Sequence, residues 1–141
     1  EASYERAYAR RAFAAQRGGT ASIYILDTHD AMVHQERGDG QTYNDIRTAL
    51  LKADTALKNR QPTSIIAAQL QNDPYQNARN LAQFEFFGAS GGVPIVVDGQ
   101  MIGAIGVSGV AGNADENCAV EGLKAAFGEH VLLRASLAAN S

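Results

Sequence analysis

Cysteine is nearly missing from this chain. The single thiol, Cys118, excludes an intramolecular disulfide and any zinc site built from several thiolates. Its plain reading is a small residue packed beside a helix face rather than a nucleophile. Tryptophan is absent and proline occurs only three times, so no proline-rich spacer divides the chain. Long apolar runs are missing too, and nothing approaches the ~20 residues a membrane-spanning helix needs. Nor is there a basic excess: the net charge is −3 and the charged residues are dispersed. That excludes the clustered lysines and arginines of a nucleic-acid footprint.

What is present suits one globular domain over residues 1–141. A hydrophobic content of 45% is that of an ordinary globular protein rather than a disordered one, and 141 residues can enclose one core without staples. Residues 1–20 carry Glu1, Glu5, Arg6, Arg10, Arg11 and Arg17 instead of the apolar core of a signal peptide. The numbering starts at Glu1 without Met, so a cytoplasmic location and export after removal of a leader both stay open.

Periodicity supplies the elements. Residues 3–17 read as a helix with Tyr4, Ala7, Tyr8 and Ala15 on one face, ended by Gly18-Gly19. Residues 22–26 and 31–36 read as two strands joined by the polar turn Asp27-Thr28-His29-Asp30. Thr42 and Asp45 mark a helix start, and Ile46, Ala49, Leu50, Ala53, Ala56 and Leu57 follow at helical spacing. Arg47, Lys52, Asp54 and Lys58 fall on the other faces. Pro62-Thr63-Ser64 opens a shorter helix, and Phe84, Phe86 and Phe87 need cover from somewhere. Val93–Val97 and Met101–Val107 form a second hairpin around Asp98-Gly99, a pair that favours the type I′ turn. Asn113 and Glu116 cap a last helix whose Ala119, Val120, Leu123 and Phe127 make an apolar stripe. Hairpins force antiparallel pairing, so the fold class is α/β, with helices packed on an antiparallel sheet of about five strands.

Eight of the 14 glycines lie between residues 88 and 112: Gly88, Gly91, Gly92, Gly99, Gly103, Gly106, Gly109 and Gly112. Gly103 and Gly106 sit inside a strand, where glycine weakens the element, so a backbone, a second subunit or a flat ligand must approach closely there. Two enzyme motifs fail. Gly106-Val107-Ser108-Gly109-Val110 lacks the second glycine of a nucleophile elbow, and no Gly-x-Gly-x-x-Gly joins a strand to a helix. Residues 108–113 lead into a helix N-terminus that can hold a carboxylate or phosphate, although Asn113, Asp115 and Glu116 compete for those amides. His34 and Glu36 share a strand face and could supply two metal ligands, with a solvated face as the plainer reading. Arg37 and Asp39 flank a glycine and could bind a carboxylate ligand or each other. Lys52 reads as a solvated charge, or as one facing a pocket.

The glycine block carries a resemblance. Gly91-Gly92-Val93-Pro94-Ile95, Asp98-Gly99, the run from Ile102 to Gly109, and Asp115 closely resemble the signature of the GlcG/HbpS-like family. That family includes the C-terminal domain of PduO-type corrinoid adenosyltransferases. Leu26-Asp27, Val33, Arg37-x-Asp39-Gly40 and Lys52-Ala53-x-Thr55-Ala56 match its other elements. The resemblance implies a profilin-like α/β/α sandwich and a homo-oligomer, up to an octamer. It also implies a haem (tetrapyrrole) ligand, or another small planar or carboxylate molecule, with a role in haem or iron handling and haem degradation in some members. The alternative is a small-molecule enzyme or accessory factor of hydroxy-acid or diol metabolism, with Asp39 and Lys52 as pocket residues; a pure assembly protein is a third reading. Under the leading reading the pocket lies between the first helix and the glycine-rich hairpin. Its candidate residues are Tyr4, Tyr8, Arg37, Asp39, Lys52, Gly91, Gly92, Gly106, Ser108 and Gly109, with His34 and Glu36 as a candidate metal pair. Where haem-binding relatives would offer a histidine, the first helix has none; Tyr4 and Tyr8 are the available donors, since tyrosinate can ligate haem iron.

Overall fold

In the computed structural model, which describes residues 21–76, 78–79, 89–110 and 114–127, two hairpins alternate with helices. Strands β1 (Ser22–Asp27) and β2 (Met32–Arg37) pair antiparallel around a turn stabilised by Asp27. Its Oδ1 accepts the N–H groups of His29 at 2.8 Å and Ala31 at 3.0 Å. Those two donors hold the Asp27 carboxyl below its usual range. Asp30 closes the turn with φ 63°, the left-handed conformation that a short polar side chain tolerates.

Helix α1 (Tyr43–Asn59) starts on a complete capping box: Asp45 N–H donates to Thr42 Oγ1 at 3.2 Å, and Thr42 N–H donates to Asp45 Oδ2 at 2.9 Å. Helix α2 (Thr63–Gln71) follows Pro62 directly. Strands β3 (Gly92–Val97) and β4 (Gln100–Ser108) form the second hairpin. Asp98 and Gly99 have φ 51° and 80°, as the two central positions of a type I′ turn require. Helix α3 (Ala114–Phe127) completes the described residues.

The sheet order is β2-β1-β4-β3, antiparallel throughout, with four strands among the described residues where about five are expected. Among the described strands β3 lies at an edge, which is where Pro94 can sit without breaking a ladder on both sides. Strand alternation then divides the core. Ile23, Ile25, Val93, Ile95, Ile105 and Val107 share one face and one core cluster with Ala119, Val120 and Leu123 of α3. Leu26 and Ala104 face the other way, onto Ala53, Ala56 and Leu57 of α1. Helices thus cover both faces, giving the α/β/α sandwich.

α1 is more enclosed than its sequence pattern suggests. Residues 52–57 are buried without a break, so Lys52 and Asp54, expected on the outer faces, are 4% and 8% exposed. The helix packs across β4, β1 and β3, touches α2, and reaches the first turn of α3 through Lys52. It overlies β2 hardly at all. The expected first helix (residues 3–17, including Tyr4 and Tyr8), Phe84, Phe86, Phe87, Asn113 and the side chain of Phe127 lie outside the described residues.

Candidate functional site

Three glycines of the block, Gly91, Gly92 and Gly106, lie against the chain's own helix α1. A Cβ on Gly106 would overlap the Ala49 carbonyl oxygen and lie 2.7 Å from the Ala53 nitrogen. The close approach at Gly106 is therefore the backbone of α1, made possible by alanines at 49, 53 and 56. Gly92 is covered in the same way by the Lys52 carbonyl and by Thr63, whose Oγ1 accepts the Gly92 N–H at 2.9 Å. Gly91, at φ 129°, leaves room for the Lys52 side chain, which a Cβ there would meet at 2.9 Å. Of the close approaches expected there, a backbone is the one seen: Gly91, Gly92 and Gly106 are buried beneath α1 and its Lys52 side chain.

Lys52 is committed as well. Its Nζ donates to Asp115 Oδ2 at 2.8 Å and to the Val107 carbonyl at 3.2 Å. Asp115 Oδ1 accepts the Val110 N–H at 2.8 Å. Burial raises the Asp115 carboxyl above its usual range, and the Lys52 ammonium and the Val110 amide offset part of that rise. This ion pair joins α1, the end of β4 and the start of α3. Lys52 is thus neither a solvated charge nor an open pocket residue, and Asp115 takes an amide that an outside anion would need. Cys118, 5% exposed nearby, has its thiol pushed up to about 11 by burial and by the Asp115 charge, so it is no nucleophile at neutral pH.

An open concavity lies one strand away, where α1 stops covering the sheet. A groove of ≈ 510 Å³ runs between β2 and the first half of α1, within the size range of small-molecule sites. Strand alternation points Tyr24 of β1 with Gln35 and Arg37 of β2 toward it, and Tyr24 pairs with Gln35 across the ladder. Helical spacing supplies the opposite wall, Tyr43 with Arg47 and Ile46 with Leu50, each pair one turn apart. Of the expected site residues only Arg37 lines this groove. Ser108 is buried opposite Ser22, and Gly109 lies against Gln41, which also accepts the Ser22 hydroxyl at 3.3 Å. These residues share one end of the sheet with Arg37, whose ladder partner is Ser22. Asp39 is exposed in the loop before α1. His34 and Glu36 sit on the opposite face of β2 and pair with each other at 3.1 Å, with no third metal-ligating group beside them among the described residues. Sequence reasoning missed Tyr24, Gln35, Tyr43 and Arg47. Their i, i+2 and i, i+4 spacings were legible, but only the sheet order shows that β2 extends past the helix.

Residues 3–124 match the family model described as haem degrading protein HbpS-like. The chain belongs to the HbpS-like family. Solved structures agree with its fold. Streptomyces reticuli HbpS, in a double-mutant form, is 26% identical with TM-score 0.78, over 89% of this chain and 85% of that one. Klebsiella pneumoniae protein ORFY is 22% identical with TM-score 0.79, over 88% of each chain. A structure described as a PduOC:haem complex is 21% identical with TM-score 0.81, over 94% of this chain and 96% of that one. No curated protein matches the chain significantly. Fold and family thus coincide with the expected HbpS-like sandwich. No helix among the described residues is long and apolar enough to cross a membrane.

Proposed function

We propose that this HbpS-like protein is a homo-oligomeric haem-binding protein that contributes to haem or iron handling. The observation that carries the reading is a groove of ≈ 510 Å³ walled by Tyr24, Tyr43, Ile46 and Leu50 in a chain of this family. Aromatic and aliphatic walls suit a large flat apolar ring. The haem complex of the PduOC relative, which shares the fold, adds support.

The lining fits haem with one restriction. Among the described residues it contains no histidine, cysteine or methionine, so there the phenols of Tyr24 and Tyr43 are the donors of a type that ligates haem iron. When bound, haem would supply redox-active iron, and Tyr24, Ile46 and Leu50 would pack against its ring. The enzyme alternative has lost its lysine to a buried ion pair, and nothing in the described residues favours it over ligand storage or transfer.

Titration with haemin tests the proposal. A Soret band that shifts and saturates at one equivalent per chain is expected. A spectrum identical to free haemin at every ratio refutes haem binding. Adding ascorbate in air to the loaded protein separates retention from breakdown, and persistence of the band is expected.

A further inference from the structure

The polar groups of the groove are unbalanced. Arg37 and Arg47 line it together, with no acidic residue in the lining among the described residues, although the chain as a whole carries net charge −3. Neither guanidinium has a hydrogen-bond or ion-pair partner among the described residues, whereas Lys52, Lys58 and Lys124 each pair with a carboxylate. The hydroxyls of Tyr24 and Tyr43 and the Gln35 amide are likewise without partners there. The groove therefore offers many N–H and O–H donors, two of them permanently charged, and few acceptors to receive them. A ligand that satisfies it must bring acceptors and negative charge along with an apolar body for Ile46 and Leu50.

From this pattern we infer that the groove between β2 and α1 binds a flat apolar molecule carrying two carboxylates, one taken by Arg37 from the strand and one by Arg47 from the helix. Guanidinium is suited to the task because its fork meets a carboxylate in two parallel charge-assisted hydrogen bonds. The arginines stand on different elements of one rigid scaffold, so the spacing of the carboxylates becomes a selection criterion. The tyrosines flank the apolar body and can donate to the same carboxylates. This assignment rests on the haem reading for the identity of the ring, but not for the carboxylate chemistry, which stands on the arginines alone.

Metal-free protoporphyrin IX is the discriminating probe, because it has the ring and both carboxylates and needs no axial ligand. Its dimethyl ester keeps the ring and loses the charges. Binding followed by porphyrin fluorescence should be about tenfold or more weaker for the ester than for the acid. Arg37→Ala and Arg47→Ala should each weaken acid binding by about tenfold while leaving ester binding unchanged. Arg60→Ala, in a separate cavity at the far end of α1, should bind as the parent does. Equal affinity for acid and ester, parent-like binding by the double arginine variant, or no binding of the acid would each overturn the assignment. Haemin run alongside keeps the two readings apart. Haemin binding that ignores both arginines leaves the haem function standing and removes the groove; porphyrin acid binding without haemin binding does the reverse.

Discussion

At the scale of single residues, Gly106 and Lys52 show how little room this interior has. Gly106 lies directly beneath α1, so even the smallest side chain must displace helix backbone that cannot move without shifting the whole element. Gly106→Ala is expected to cost about 1–3 kcal/mol, the usual range for overpacking a filled core. Urea denaturation checks it, with Gly99→Ala as the comparison. Gly99 has open space but φ 80°, so its variant should lose only about 1 kcal/mol from backbone strain. Lys52→Met leaves the Asp115 carboxylate buried without its countercharge, and a loss of about 3–5 kcal/mol is expected. The sign of its pH dependence follows. Burial already raises the Asp115 carboxyl, and removing the ammonium takes away an influence that lowers it. A carboxyl raised in the folded state favours folding when protonated, so the variant should be relatively most stable in acid and lose stability as pH rises through the folded value. Denaturation midpoints of parent and variant across mildly acid to neutral pH measure this. A Lys52→Met deficit that did not grow with pH would show that Asp115 finds another partner.

Among the elements, α1 does the most to shape the molecule. Its capping box fixes where the helix begins, which sets where Tyr43 and Arg47 stand relative to β2. Thr42→Ala removes the side-chain acceptor for the Asp45 N–H and should cost about 1 kcal/mol in thermal or urea unfolding. Because the cap also orients one wall of the groove, the same variant should weaken porphyrin binding slightly, whereas Ser64→Ala at the α2–α3 contact should leave binding unchanged. The strands behave differently. Their alternation assigns each residue to a face, but the face acquires meaning only from the helix that lands on it. β1 illustrates this: Ile23 and Ile25 join the core shared with α3, while Leu26 joins the one shared with α1.

At the scale of the whole molecule, the three-layer sandwich leaves one side of β2 uncovered among the described residues, and this single fact creates the groove. It also leaves Met32 and Tyr43 at 54% and 68% exposure near that edge. Large apolar side chains in such positions favour contact between copies of the chain. Light scattering at micromolar concentration should therefore report a multiple of the chain mass, and a strict monomer would remove the oligomeric part of the proposed function.

The two hairpins, the capped start of α1 and the family signature were legible in the sequence because each rests on neighbours in the chain. A type I′ turn depends on residues 98 and 99 alone, a capping box on residues 42 and 45, and an amphipathic stripe on a period of 3.6. The demand for close approach at Gly106 was equally local, since a glycine inside a strand requires it. What approaches was not local. Only the tertiary structure placed Ala49 and Ala53 over Gly106, turned Lys52 inward to Asp115 across 63 positions of sequence, and left Arg37 and Arg47 facing one groove. Those pairings depend on sheet order and on the line a helix takes across it, which are set by the combined packing of many distant residues and have no period along the chain.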